Sequence, residues 1–287
     1  MISASDERTE RFRQIQPTLQ NLPFNKRHRS LMDYFRTHMR IVSAFIIREI
    51  ATRYGRSPGG YLWAFLEPIA FISIMSLLMT AVGRAPQLGT SFALFYATGY
   101  LAFSMFRTME GYLTSAVSAN KSLLSYPNVS AIDAVVARFV LQAGTSVVVS
   151  IFIIGGAMHT VRHSIPIDWM KLIGSVSLAW AMAIGIALAN TTLFFKLPLY
   201  RKAYENLTRP LLLLSGVFLL PNHLPHPFRE WLLWNPVTHI VILFREGFYG
   251  GGGRDGLDLE FLVETASLTL LIGMFIFTMW PIGRLRD

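Results

Sequence analysis

One stretch of the sequence places aromatic and charged side chains at helical spacing. Six residues follow one another at steps of 4, 4, 3, 4 and 3, which confines them to a sector of about 80° on one face of a helix. They are Phe92, Tyr96, Tyr100, Phe103, Arg107 and Glu110. This face is a candidate for the wall of a polar translocation path. The alternative is a packing surface in which Arg107 and Glu110 form a structural ion pair.

The two charges at the end of this face lie inside a long apolar segment. A charge at the centre of a bilayer costs at least about 2.5 kcal/mol unless it faces protein or water. Glu67, directly before Pro68, and Arg138 are embedded in two further apolar segments. Each of them has the same two interpretations, a structural pair or part of a polar path.

Motifs for other kinds of chemistry are missing or lack their structural context. The sequence contains no G-x-x-x-x-G-K-[ST] loop, so this chain does not bind nucleotide through a P-loop. Residues 251–256 match G-x-G-x-x-G literally, but no strand precedes them, which favours a flexible loop. His159 and His163 have no carboxylate before Asp168 to complete a metal site, and a metal at His223 and His226 is no better supported. We therefore expect no catalytic residue, no metal site and no cofactor in this chain.

The composition identifies the class of protein. Of the 287 residues, 52% are hydrophobic and 15% are charged, whereas about 25% charged residues are usual in soluble domains. This is the composition of a membrane protein. The first 30 residues are too polar for the apolar core of a secretory signal, so we expect no cleavage there. The net charge is +9, but its distribution favours a membrane-topology signal over a nucleic-acid partner.

Apolar segments of about twenty residues, enough to cross about 30 Å of hydrocarbon, set the layout of the chain. Five are clear, at residues 62–82, 92–118, 132–158, 169–195 and 259–280. Before the last of these lie a short apolar stretch, 211–220, a proline-rich polar stretch, and a second apolar stretch, 231–248. We interpret this region as a broken hairpin, a fifth helix followed by a re-entrant segment. The prediction is an all-α membrane protein with six transmembrane helices, or five plus a re-entrant pair.

Basic residues near the ends of these segments predict the orientation. Eighteen lie on the side that contains both termini, and six lie on the opposite side. By the positive-inside rule both termini are cytoplasmic, which requires an even number of crossings.

The segment before the first span has the pattern of an amphipathic helix lying in the headgroup plane. Arg36 and Arg40 lie opposite an apolar row that comprises Leu31, Phe35, Met39, Val42, Ile46 and Ile50. Glu49 and Arg53, four residues apart on this row, can pair, so the helix leaves the lipid there. The alternative is a soluble amphipathic helix folded onto the loops. We divide the chain into a cytoplasmic N-terminal segment, 1–61, and a transmembrane domain, 62–287.

Three motifs, in order along the chain, carry a family resemblance. The first comprises REIATRYG at 48–55 and GYLWAFLEP at 60–68. The second is LLSYP at 123–127 with Ile132, Asp133, Ala137 and Arg138, and the third is LWNP at 233–236 with His239, Arg245 and Glu246. From about residue 46 to its end the chain resembles the permease subunits of capsular polysaccharide ABC exporters, the KpsM-like branch of the ABC-2 superfamily. Residues 1–30 have no counterpart, and PNVSA at 127–131 replaces a more basic stretch of the family.

The resemblance implies a homodimeric permease that works with two copies of a separate ATPase, which binds ATP and Mg²⁺. The complex would lie in the inner membrane of a Gram-negative bacterium and move a lipid-linked acidic polysaccharide outward. A periplasmic adaptor of the co-polymerase type and an outer-membrane exporter would be further partners. The face from Phe92 to Glu110 would then line the polysaccharide path, with rings stacked on sugars and Arg107 attracting acidic groups.

We expect the ATPase to dock at two cytoplasmic places, the end of the amphipathic helix and the loop 120–127. Both combine charges with exposed apolar residues. The candidate contact residues are Arg48, Glu49, Arg53, Lys121, Leu123, Leu124 and Tyr126.

Three alternatives to this function remain open. A permease for O-antigen or teichoic acid shares the architecture, and only the details of the third motif favour capsule. A membrane-embedded glycosyl- or acyltransferase would show a carboxylate or histidine cluster at one membrane face, whereas the acidic residues here are scattered. A secondary transporter would show inverted repeats, and no convincing internal symmetry is evident.

Overall fold

The computed structural model describes residues 31–54, 59–126, 129–161, 165–253 and 256–280. Within these ranges the chain is helical and has no strand, so the all-α prediction is confirmed for the described residues. Their α-helices are α1 Leu31–Tyr54, α2 Gly60–Ala81, α3 Phe92–Thr114, α4 Ala116–Ala119, α5 Ala131–Met158, α6 Trp169–Lys196, α7 Pro198–Thr208, α8 Phe228–Leu233, α9 Pro236–Tyr249 and α10 Leu259–Met279. By length and composition, α2, α5, α6 and α10 are able to cross a membrane.

The chain divides after Arg40 into two units, residues 1–40 and 41–287. In the first unit, residues 31–40 form the beginning of α1, where large apolar side chains such as Phe35 are exposed. In the second unit α1 continues, and Val42 and Phe45 are buried in a cluster with Ala134 and Ala137 of α5. The second part of α1 is therefore held against the beginning of α5.

Contacts between helix ends fix the directions of the long helices. At the end of α6, the hydroxyl of Thr191 donates to the carbonyl of Thr114 at the end of α3 (3.1 Å). The ammonium group of Lys196 lies 4.0 Å from the ring centroid of Trp280, which follows α10. Since these ends meet, α3, α6 and α10 run parallel. We call this end of the bundle the Lys196 end and the opposite end the Asp168 end.

α5 runs in the opposite direction to α3 and α6. Near its beginning, Arg138 donates to the carbonyl of Tyr112 (2.9 Å), close to the end of α3. After its last turn, the hydroxyl of Thr160 lies 2.5 Å from that of Ser91, which caps the beginning of α3. The two helices therefore pack antiparallel between the two ends of the bundle.

α6 and α10 approach each other closely at two glycines. Gly273 lies against the backbone of Gly185, and a methyl group on Gly185 would overlap with the backbone of Thr269 and Leu270. Small residues allow helix backbones to approach in this way, which is how helices associate in the absence of a hydrophobic driving force in lipid.

The segment between α6 and α10 is broken, as the sequence predicts. Its helices begin and end at other residues than the predicted stretches 211–220 and 231–248. α7 starts at the Lys196 end, and a 3₁₀-helix, Arg209–Ser215, continues it. The sequence places a helix at 211–220, whereas Gly216 ends the 3₁₀-helix with a φ of 68°, a conformation that favours glycine. The chain then reaches the loop between α2 and α3, where the N–H of Leu220 donates to Oε1 of Gln87 (2.7 Å).

The second apolar stretch of this segment, predicted at 231–248, forms two helices, α8 and α9. The break is local in origin, because Asn235 caps α9 by accepting a hydrogen bond from the N–H of Val237 (3.0 Å), and Pro236 occupies the first helical position. Twelve of the fourteen residues of α9 are buried, so this helix lies inside the protein.

Candidate functional site

The aromatic and charged face predicted from the sequence lies on α3. Ser91 starts this helix, since its Oγ accepts a hydrogen bond from the N–H of Leu94 (3.3 Å). The face is divided in its exposure. The partly exposed members are Phe92, Tyr100 and Arg107, and the buried members are Tyr96, Phe103 and Glu110.

The two tyrosines of this face have different surroundings. Tyr96 is 3% exposed and packs edge-on against Phe95, with their ring centroids 5.3 Å apart. Tyr100 stacks on Phe71 of α2, with centroids 4.4 Å apart, and its hydroxyl donates to Oε1 of Glu67 (3.4 Å). A cavity of about 100 Å³ adjoins Tyr100 and is lined mainly by polar groups of α2, α3 and α5. Tyr100 therefore has polar surroundings, whereas Tyr96 is buried among hydrophobic residues.

The charged end of the face joins three helices at the Lys196 end. Arg107 and Glu110 form an ion pair, as the packing interpretation expects. Asn190 of α6 donates to Oε1 of Glu110 (3.1 Å), and Arg107 donates to the hydroxyl of Thr208 of α7 (3.0 Å). The hydroxyl of Thr114 also donates to Glu110 (3.1 Å). A buried carboxylate with three partners is satisfied and fixed in position.

The first of the two regions expected to meet an ATPase is the end of α1. Nη1 of Arg48 donates to Oδ1 of Asn120 (2.9 Å), which fixes the beginning of the loop after α4. Glu49, predicted to pair with Arg53, pairs with Arg138 of α5 at 2.5 Å, and both side chains are buried. The side chain of Arg53 lies outside the described residues. Glu49 therefore connects α1 to α5.

The second region is the loop that begins at Asn120. Lys121 is exposed, and Tyr126 is 62% exposed. Leu123 and Leu124 are partly buried, and Leu123 packs against the cluster of Val42 and Phe45. Pro127 lies outside the described residues. The loop thus presents a lysine and a tyrosine at the surface and packs Leu123 against α1.

The third sequence motif places a fully buried arginine between the broken segment and α3. Arg245 donates to the carbonyls of Gly216 (2.6 Å) and Val217 (2.7 Å), and more weakly to that of Phe95 (3.4 Å). Its guanidinium carbon lies 4.2 Å from the ring centroid of Phe95. Gly99 lies so close that any side chain there would overlap with the guanidinium group. Arg245 therefore binds the carbonyl groups that the turn at Gly216 leaves without helical partners.

The other residues of this motif tie α9 to its remaining neighbours. Asn235 donates to the carbonyl of Leu214 (2.7 Å). Nδ1 of His239 accepts from the N–H of Asp258 (3.1 Å), so Nε2 carries the proton and donates to the carbonyl of Leu233 (2.8 Å). Glu246 pairs with Lys171 of α6 (3.0 Å). Each polar residue of the motif contacts a different part of the chain.

Comparison with known proteins places the chain in a family. Residues 40–249 match the family model of the ABC-2 type transporter. The chain belongs to this family. The match covers the face on α3, the three sequence motifs and most of the second unit of the structure.

Curated proteins with similar sequences include capsule transport proteins of three bacterial species. The polysialic acid transport protein KpsM of Escherichia coli is 30% identical over 236 residues, which are 82% of this chain and 92% of that protein. The capsule polysaccharide export inner-membrane protein CtrC of Neisseria meningitidis serogroup B is 31% identical, covering 82% of this chain and 89% of that protein. The protein of the same description from Haemophilus influenzae, BexB, is 30% identical with the same coverage.

Several residues of this ABC-2 chain have contacts that the sequence did not signal. Asn190 and Thr208 reach the Arg107–Glu110 pair from 80 and 101 residues away. Arg245 belongs to the third motif and is also one of the six basic residues opposite the termini. Its place in the third motif was the one available sign of its role. Among the described residues, no group of three or more His, Asp and Glu side chains lies close enough to hold a metal ion; His163 falls outside them.

Proposed function

We propose that this chain is the transmembrane subunit of an ATP-driven exporter of capsular polysaccharide in the bacterial inner membrane. The observation that carries the proposal is the similarity to KpsM, CtrC and BexB over 82% of the chain, since these proteins are named for polysialic acid transport or capsule polysaccharide export. Deleting the gene in its host should remove capsule from the cell surface and leave polymer inside the cell. A plasmid copy should restore the capsule, and a deletion strain with normal surface capsule would contradict the proposal.

The permease acts as a homodimer with two copies of a separate ATPase. Only Pro68 and Ile72 of the 22 residues of α2 are buried, and one side of the helix, which includes Glu67, is exposed in the single chain. Glu67 is exposed on that surface, within a segment apolar enough to span the membrane. Lipid is a costly neighbour for a carboxylate, so a second copy or an aqueous path should face Glu67.

ATP and Mg²⁺ bind to the partner ATPase, because this chain has no P-loop. Purification through a tag on the permease should yield the ATPase in equal number. ATP turnover by the permease alone would contradict this division of work.

The transmembrane domain crosses the bilayer six times, and both termini are cytoplasmic. Helices α2, α3, α5, α6 and α10 provide five crossings. The chain that follows α7, through the 3₁₀-helix Arg209–Ser215 to Leu220, provides the sixth, since it leads from the Lys196 end, where the basic residues of α7 lie, to Gln87 at the Asp168 end. The excess of basic residues makes the Lys196 end cytoplasmic. In this arrangement α1 lies at the cytoplasmic surface of the membrane.

The ATPase contacts the end of α1 and the loop 120–127, through Arg48, Glu49, Arg53, Lys121, Leu123, Leu124 and Tyr126. Within this set, exposed Lys121 and Tyr126 touch the partner, while Arg48 and Glu49 act from behind through Asn120 and Arg138. The chain has no cysteine, so single thiols are straightforward to introduce. Lys121→Cys and Tyr126→Cys should crosslink to cysteines in the ATPase, whereas Arg229→Cys, on α8, should not.

The face of Phe92, Tyr96, Tyr100, Phe103, Arg107 and Glu110 lines the polysaccharide path. Its partly exposed members contact the cargo, and the buried members support them from behind. Tyr100→Ala should therefore abolish export while the complex remains assembled. Tyr96→Ala should instead lower the amount of folded protein, by about 3 to 5 kcal/mol of stability, as for a buried aromatic residue. Normal export by the Tyr100 variant would remove the path proposal.

A periplasmic adaptor of the co-polymerase type, an outer-membrane exporter and a lipid-linked acidic polysaccharide complete the proposed system. The test is the same for both proteins: affinity purification of the permease from crosslinked envelopes should recover them together with the ATPase. Their consistent absence from a preparation that retains the ATPase would contradict this part of the proposal.

A further inference from the structure

A cavity of about 460 Å³ lies between the ends of α3, α6 and α7, at the Lys196 end. Its volume is in the range of sites that bind small molecules. The wall includes Arg107, Glu110, Thr114, Phe194, Arg201 and Tyr204. Only the first two belong to the face on α3, so most of this wall was not marked by the helical spacing in the sequence.

The inner wall of the cavity is rigid and polar. Glu110 is 1% exposed and is held by Arg107, Asn190 and Thr114. Arg107 is in turn held by the hydroxyl of Thr208 (3.0 Å). Because these contacts come from three helices, the donors and acceptors of the wall are fixed before any ligand arrives.

The outer part of the cavity combines a second ion pair with aromatic rings. Nε of Arg201 lies 2.8 Å from Oε1 of Glu205, and both side chains are exposed. Phe194 and Tyr204 are 5.7 Å apart between ring centroids, and the guanidinium carbon of Arg201 lies 5.8 Å from the ring centroid of Phe194. The rings provide negative faces beside strong hydrogen-bonding groups.

The charges of the wall indicate the kind of ligand. Two arginines face two glutamates, so the lining residues have no net charge. A neutral wall suits the hydroxyl groups of a sugar unit of the acidic polymer better than a free phosphate ion. The arginine N–H groups that are not bonded to the glutamates donate, and the exposed carboxylate of Glu205 accepts, a combination that suits hydroxyl groups, which both donate and accept. Aromatic faces attract the weakly positive C–H groups of a sugar ring.

We infer that this cavity binds a saccharide unit of the polymer as it enters the permease. The inference rests on the proposed function and specifies where the substrate is first held. It also distinguishes recognition of the sugar from recognition of a phosphate in a lipid carrier, since the two ligands require different wall charges.

A single thiol in the cavity tests this inference. Gly111 lines the cavity, is exposed, and has no atom within 4 Å of the position a Cβ would occupy, so Gly111→Cys fits without displacement. The rate of maleimide labelling is measured in the assembled complex with a short lipid-free fragment of the exported polysaccharide, and separately with inorganic phosphate. Lys202→Cys, exposed on α7 but outside the cavity wall, is the matched control.

The fragment should slow labelling of Gly111→Cys about threefold when present at twice its dissociation constant, because one third of the sites are then free. Phosphate should have no effect, and neither ligand should change labelling of Lys202→Cys. Protection by phosphate would show an anion site, and a lack of protection by the fragment, or a thiol that never reacts, would overturn the inference. Surface capsule is measured in the same strains, so export without protection refutes only the saccharide site.

Discussion

Two buried arginines, Arg138 and Arg245, satisfy their charges in different ways. Arg138 pairs with Glu49 at 2.5 Å and also donates to the hydroxyl of Ser115 (2.7 Å). Its bond to the carbonyl of Tyr112 is shared, because Ser115 donates to the same carbonyl (3.1 Å). Arg245 donates to the carbonyls of Gly216 and Val217, and among the described residues no carboxylate contacts it. Carbonyl dipoles, together with the ring of Phe95, take the place of a counter-ion.

The two arginines differ in whether mutation is able to remove the groups that they bind. A buried ion pair consists of two side chains, and apolar residues of similar size often replace both without loss of stability. Backbone carbonyls are present whatever the sequence, so no second substitution removes the groups that Arg245 satisfies. Arg138 should therefore be replaceable together with its partner, and Arg245 should not be replaceable by any apolar residue.

The largest expected effect is that of Arg245→Met. It leaves the carbonyls of Gly216 and Val217 without a donor, at about 1 to 3 kcal/mol for each buried group. Folded protein should nearly disappear from the membrane, as measured by its abundance and by its thermal unfolding in detergent. Arg229→Met, the same change at an exposed position of α8, serves as the control. Equal stability of the two variants would refute the role assigned to Arg245.

The ion pair should show the opposite behaviour in a double-mutant cycle. Glu49→Leu alone, or Arg138→Met alone, leaves a buried charge without its partner and should cost about 3 to 5 kcal/mol. The double variant removes both charges and should be more stable than either single variant, with a coupling energy above about 1 kcal/mol. The measurement is the free energy of unfolding of all four proteins. Additive losses would mean that the pair is not a unit.

The two arginines also show how far the sequence predicts this molecule. The position of Arg138 inside an apolar segment predicts that it needs a partner, because lipid does not solvate a charge. The identity of that partner is not predictable from helical spacing, since Glu49 lies on another helix, and the local candidate was Arg53. Arg107 and Glu110 were predictable as a pair because they are three residues apart on one helix.

The broken segment was harder to predict for a physical reason. Apolar length indicates a span, but the end of the 3₁₀-helix at Gly216 depends on Arg245, 29 residues later, which binds the freed carbonyls. No periodicity records such a contact. The division of 231–248 at Asn235 and Pro236 was partly predictable because a cap and a helix-starting proline are local signals.

Conservative substitution separates charge from geometry at the two sites. Arg245→Lys keeps the charge but loses the planar fork, whose two terminal nitrogens bind different carbonyls. It should cost about 1 to 3 kcal/mol, the penalty for one unsatisfied buried carbonyl. Arg138→Lys also loses the fork, but it retains a cation beside Glu49, and the Ser115 hydroxyl that it frees is exposed to water, so it should cost less. Thermal unfolding of the two variants gives the order directly, and a larger loss at position 138 would contradict it.

The smallest effect is expected for an arginine that is paired but not buried. Arg201 pairs with Glu205 at 2.8 Å, and both side chains are about half exposed or more, at 60% and 49%. Water solvates each charge when the other is removed, so Arg201→Gln should change stability by only about 0 to 1 kcal/mol. Unfolding measured at low and high salt should differ more for the parent protein than for this variant, because salt screens exposed pairs. A loss as large as that of Arg138→Met would show that pairing alone matters. A small loss of stability for Arg201→Gln would mean that burial, and not pairing, sets the size of the losses at Arg138 and Arg245.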